Sequence, residues 1–249
     1  MSTSVSAASE SQPTGGSATR STTSRMTAGD RVRWVLRGLG ELLITAGIVV
    51  LLFAFYEVKI TGVYTAHQQH DLEQRLTRTW AQPAPKGIRL APFVEGQGIA
   101  RIYLPTLGKD QMHVVVEGVS HADLKRGPGH YPGTALPGGL GNVTISGHRT
   151  TYGAPFNRLD ELHTGDPIVL ETATMFFTYR VIEQKVVSPQ AIGETYPVPE
   201  RAGVAPTQHL LTLTTCNPKY SARTRLIIRA LLETSQVKAP GVVPPALEG

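Results

Sequence analysis

From His209 to Leu232 the chain reads HLLTLTTCNPKYSARTRLIIRALL, two alternating segments joined by a short polar stretch. Period-two alternation puts Leu210, Thr212, Thr214 and Cys216 on one face of the first segment, and Leu211, Leu213 and Thr215 on the other. In the second segment Leu226 and Ile228 share a face, opposite Arg225, Ile227 and Arg229. If the Leu211/Leu213 and Leu226/Ile228 faces are buried together, Cys216 and Arg225 emerge on one side at facing strand ends. A thiol and a guanidinium so held are a nucleophile and an anion stabiliser, and they need a base. An earlier strand, NVTISGH, ends in His148 and supplies one.

The remaining candidates separate on position. A free cysteine often behaves as a small buried hydrophobe. Cys216 instead ends a strand, abuts Asn217 and shares its face with threonines. Of the eight histidines, His121 falls in a short helix, His163 beside the turn residue Gly165, and His209 before the cysteine strand. His130, in GHYPG, is the competitor to His148, because its loop could fold over the site. Strand ends hold side chains more rigidly than Gly-rich loops, which favours His148. Arg223 and Arg225 share parity; Arg225 opens the strand and is the better fixed, while Arg229 lies further from the cysteine end. Thr214 and Thr215 flank the thiol, and with Tyr131 they are the candidate substrate contacts, although strand propensity alone would also place threonines there.

These residues resemble the sortases, cysteine transpeptidases of Gram-positive cell envelopes. TLTTC (Thr212 to Cys216), the arginine heading RLIIRA and the histidine of ISGHRTTYGAPF match the family pattern, and TLTTCNPKYSARTR with SGHRTTYGAPF looks most like class E of the actinobacteria. The resemblance runs from Val94 to Leu232. It implies an all-β, eight-stranded sortase-type barrel with Cys216, His148 and Arg225 as catalytic residues. It also implies cleavage between Thr and Gly of a LAxTG- or LPxTG-like sorting signal. The partners would be the sorting-signal peptides of secreted surface proteins and a peptidoglycan-precursor amine; no cofactor or metal is expected.

Elsewhere the sequence sets the domain plan. Five arginines precede Leu39 against Glu10, Asp30 and Glu41, within a formal charge of only +5. That mild excess, with no basic stripe carrying interleaved aromatics, argues against nucleic acid. Residues 1–38 read as a disordered, basic cytoplasmic segment, poor in apolar residues as far as Asp30. LGELLITAGIVVLLFAFY, Leu39 to Tyr56, approaches the roughly 20 residues that cross a bilayer. With arginines before it and no clean small-x-small cleavage site after it, 39–60 is expected to be an uncleaved signal-anchor, single-pass, N-terminus inside; a cleaved signal peptide is the alternative. Residues 61–93 should form a membrane-proximal helix and the Pro-containing linker AQPAPK, 94–234 the extracellular catalytic domain, and 235–249 a disordered tail. His67 and His70 lie at i, i+3, yet no partner motif accompanies them, and a solvated surface is the better reading.

Within 94–234, strands are expected at Ile99–Leu104, Met112–Glu117, Asn142–Gly147, Ile168–Thr172, Phe176–Glu183 and Val186–Val187. A short helix should start at the Ser120/Asp123 cap pair, and Gly127–Gly141 should be loop. Short strands without alternating long helices mean a barrel or sandwich. Two other functions are compatible with the pattern: a membrane-anchored cysteine protease and a non-catalytic envelope-binding module. The protease lacks a visible Asn or Asp to orient the histidine, and the intact trio argues against the silent module.

Overall fold

The computed structural model describes residues 27–56, 61–82 and 94–248. Of the disorder expected over residues 1–38, residues 1–26 lie outside the described residues, as does the linker at 83–93, while residues 28–38 are helical rather than disordered. Helix α1, Ala28–Phe55, starts eleven residues before the apolar run, at the Thr27/Asp30 cap, where Thr27 Oγ1 donates to Asp30 at 2.6 Å. None of its residues is buried, and it is long and apolar enough to cross a membrane. It is a candidate single membrane span.

The second unit is a closed barrel of eight strands in the order β1-β2-β3-β4-β7-β8-β6-β5. Its strands are β1 Gly98–Tyr103, β2 Met112–Glu117, β3 Gly129–His130, β4 Gly141–Ser146, β5 Pro167–Glu171, β6 Met175–Val187, β7 His209–Asn217 and β8 Thr224–Val237. Antiparallel pairing of β1 with β5 closes it; β2 with β3 and β4 with β7 are the parallel pairs. The interior is filled by one face of each strand: Val143 and Ile145, Leu211 and Leu213, Leu226, Ile228 and Ala230, with Ile102, Leu170 and Tyr179 opposite. Truncating one such leucine to alanine costs about 2–5 kcal/mol. The alternation seen in the sequence is thus the in/out alternation of the barrel wall.

Helix α2, Thr61–Ala81, lies along this wall, with Leu72 and Leu76 packed on Val114 and Val116. Gln69 fastens it by bonding both the N–H and the C=O of Val114 and the carbonyl of Arg126. At its other end Arg101 bridges Glu73 and Glu171 and lies under the Trp80 ring, 4.6 Å from its centroid. His67 and His70 stay on the outer side, beside Asp71 and Gln74.

Several expectations need correction. Gly127–Gly141 is not all loop, since Gly129 and His130 pair between β2 and β4. Residues 176–187 form one continuous strand, because β8 pairs along the whole length, with register shifts at Thr178/Tyr179 and Val181/Glu183. β8 runs on to Val237, and Lys238 beyond it reaches Glu171 at 2.5 Å. A 3₁₀ turn follows at Pro245–Leu247, so residues 235–237 and 245–247 have regular structure where disorder was expected. The Ser120 capping box forms as read, starting the short helix α3, His121–Leu124.

Candidate active site

The site lies where β4, β7 and β8 end together. In the β7/β8 ladder Cys216 sits opposite Arg225. Leu213 and Leu226 face the core, so the Cys216 and Arg225 side chains emerge outward, as alternation requires. Parallel pairing of β4 with β7 brings in the histidine. The last pair is Ser146↔Thr214; the Gly147 N–H then donates to the Thr214 carbonyl at 3.1 Å, and Thr215 Oγ1 donates to the Gly147 carbonyl at 2.8 Å. Beyond that pair β4 ends, and His148 follows Gly147 on the loop at the same end of the sheet as Cys216.

The loop carrying His148 is held tightly. A Cβ at position 147 would lie 2.6 Å from the Phe156 ring, so only glycine lets that ring pack against the strand end. The Phe156 N–H returns to the His148 carbonyl at 3.1 Å. Tyr152 and Ala154 occupy the left-handed region at φ 51° and 45°, conformations that non-glycine residues adopt only when their surroundings impose them. Tyr152 places its ring 5.0 Å from that of His148, and its N–H donates to Thr61 Oγ1 of α2 at 3.3 Å. The same ring meets His121 and lies under Lys125 Nζ. Burial holds the His148 imidazole below its ordinary pKa, and the nearby His121 and Lys125 add to the shift. Its Nε2 is buried and makes no hydrogen bond among the described residues. Burial and the two neighbouring cations thus disfavour the charged form of this ring.

Arg225 donates through Nη1 to the carbonyls of Ala222 and Thr224, both at 3.0 Å. This bracing leaves the rest of its donor fork without a protein partner among the described residues. Arg223 is an exposed loop residue. The competitor His130 is excluded by its bonding: it is 1% exposed, with Nδ1 on Glu117 at 2.7 Å and Nε2 between the Ala135 carbonyl and Thr134. Both nitrogens are used to hold the loop, so neither is available for chemistry.

A groove of about 140 Å³ runs along the outer face of these strands toward Arg225. Tyr131, Thr144, Thr212 and Thr214 line it, and Val187 to Thr195 form a wall. That wall is anchored by Glu194, which is buried and receives Arg229 at 2.5 Å and Lys185 at 2.8 Å. Of the expected substrate contacts, Tyr131 and Thr214 line this groove. Thr215 does not: odd parity turns it away from the groove, and at 2% exposure it ties β7 to Gly147 instead.

One buried side chain beside the candidate site escaped sequence reasoning. Arg149, buried at 4% exposure, donates through Nη1 to the Cys216 carbonyl at 3.2 Å and to Asn217 Oδ1 at 2.6 Å, and pairs through Nη2 with Asp160 at 3.0 Å. Its only signal in the sequence is its place next to His148.

A family model for the sortase domain matches residues 102–233. The chain belongs to the sortase family. Sortases are cysteine transpeptidases, and the relatives point to class E. The chain is similar to Sortase SrtE1 of Streptomyces coelicolor, 33% identical over 213 residues, which cover 82% of this chain and 59% of that protein. It therefore spans about three-fifths of that relative's length. Among solved structures it is similar to the SrtF sortase of Corynebacterium diphtheriae, with TM-score 0.62 and 31% identity over 68% of this chain and 100% of the other. Sortase E1 of Streptomyces coelicolor, solved with a tripeptide in its active site, matches with TM-score 0.56 and 36% identity over 61% of this chain and 97% of that one. The closed eight-stranded barrel of this sortase agrees with the fold expected from the resemblance.

Proposed function

We propose that this sortase cleaves a LAxTG- or LPxTG-like sorting signal between Thr and Gly and joins the protein to a peptidoglycan-precursor amine. The observation that carries the reading is the facing pair Cys216↔Arg225, with His148 on the loop that leaves β4 just after its last pair with β7, Ser146↔Thr214. The Cys216 sulfur attacks the Thr carbonyl carbon as its proton passes to the neutral His148 imidazole. The carbonyl oxygen becomes an oxyanion, and the unengaged donors of Arg225 stabilise it. Collapse breaks the C–N bond, and His148 gives its proton to the departing glycine amine, leaving a thioester. The acceptor amine then attacks the thioester, loses a proton to His148, and displaces the Cys216 thiolate, which takes that proton back. The signal itself would lie along the groove, against Tyr131 and Thr214.

Incubation with LAxTG and LPxTG peptides, with and without an amine acceptor, is expected to give amine-dependent product at the Thr–Gly bond. Hydrolysis alone would instead indicate a protease, and no cleavage a binding module.

The same reading places the N-terminus in the cytoplasm and the barrel outside, because arginines such as Arg31, Arg33 and Arg37 flank only the leading side of the apolar run. Protease added to intact protoplasts should digest the barrel and spare an N-terminal tag. Loss of the tag under those conditions would reverse the topology.

A further inference from the structure

We infer that Arg149 is a positioning residue, a brace that fixes the Cys216 backbone relative to His148; the inference rests on the assignment of those two as nucleophile and base. The guanidinium is expensive where it stands. It is buried at 4% exposure, its Nε has no acceptor among the described residues, and its one carboxylate partner, Asp160, is 43% exposed. Replacing a buried ionic group by a well-packed apolar one is often neutral or stabilising, so the fold alone gives no reason to keep this one. What the guanidinium does is local to the chemistry. It holds the carbonyl of Cys216 and the side chain of Asn217, while its own carbonyl is held by Asn157 Nδ2 at 2.8 Å. Asn217 in turn bonds Thr224, the residue before Arg225.

One side chain, peptide-bonded to the base, therefore grips the nucleophile at its own main chain and reaches the strand that carries the arginine. Strand pairing fixes β4 to β7 only as far as Ser146 and Gly147. Beyond that point His148 sits on a loop, and Arg149 is the link that carries the register through to the reacting groups. Near-attack geometry is sensitive on this scale: about 1 Å of misplacement can cost on the order of 100-fold in rate.

The test is steady-state transfer with a sorting peptide and a saturating amine, on the full chain, for Arg149→Lys, with thermal unfolding measured alongside and Cys216→Ala as control. Lysine keeps the charge but carries its donors on one nitrogen, which cannot stand at both the Nη1 position facing Cys216 and Asn217 and the Nη2 position facing Asp160. The expected result is a folded protein whose kcat falls roughly 100-fold while KM stays within about twofold, since the groove is untouched. Alkylation of Cys216 by iodoacetamide should retain its rate, because the thiol is present but misaimed. An unchanged kcat, a rise in KM alone, or a loss that only follows the folded fraction overturns the inference. Should Arg149→Lys fail to fold, Asp160→Ala decides, being on the exposed side of the brace: kcat about tenfold lower supports the inference, and kcat equal to the parent overturns it. Retained transfer in Cys216→Ala would instead remove the site assignment itself, a separate failure.

Discussion

Cys216→Ala is expected to abolish transfer while leaving the barrel intact. The side chain is half-buried at a strand end, outside the packed interior, so its loss should cost no more than about 1 kcal/mol. Its chemistry has no substitute, because the chain holds a single cysteine. A thiol-directed reagent should therefore label one site and remove activity in step with labelling. The pH dependence carries a sign. Burial, His121 and Lys125 all hold His148 below its ordinary value of 6.5, so the base stays unprotonated to lower pH than a free imidazole. The acidic limb of kcat/KM, which reports the free enzyme, should lie below pH 6.5 and move upward when Lys125 is replaced by Met. Transfer retained in Cys216→Ala, measured as amine-dependent product from a sorting peptide, would dismiss the nucleophile and the mechanism built on it.

How far the sequence reached depended on whether a residue's environment repeats along the chain. β7 and β8 were legible because their two faces differ in chemistry: Leu211 and Leu213 go inward, Thr212 and Thr214 outward. That alternation alone set Cys216 and Arg225 on one side. The same parity should have told Thr215 apart from Thr214, and proximity to the thiol was the weaker guide. β3 was hidden because two paired residues generate no period, and GPGHYPG carries the composition of a loop. Its pairing comes from tertiary contacts such as Glu117 on His130. Barrel closure through β1 and β5 joins segments about seventy residues apart, and no local signal encodes it; the family resemblance supplied that step. Arg149 was hidden for a different reason. A polar residue after a strand end reads as solvated, and only the folded chain shows that it turns inward against Cys216 and Asn217.

Arg225→Lys should cost about 100- to 1000-fold in turnover, the usual loss for one oxyanion donor, even though the charge is kept. The reason is the division of labour within the guanidinium. Nη1 is committed to the Ala222 and Thr224 carbonyls, which pins the side chain to the mouth of the β7/β8 loop. The remaining donors are held by the planar fork at a fixed angle to that anchor, opposite Cys216 in the ladder. A lysine has one rotating ammonium on a flexible stem, so bonding those carbonyls and meeting a developing oxyanion become competing uses of the same group. The loss should fall on kcat more than KM, because the oxyanion exists only in the transition state and intermediate. Arg223→Lys is the matched comparison: same substitution, same strand parity, but exposed in the loop and two residues before the pair with Cys216. Its turnover should stay within about twofold of the parent, the range of a surface change away from the site. Turnover of both variants on one sorting peptide, with circular dichroism to establish folding, decides between them. A crippled Arg223→Lys beside an active Arg225→Lys would move the anion-stabilising role to the loop and break the link between strand register and chemistry on which the site is built.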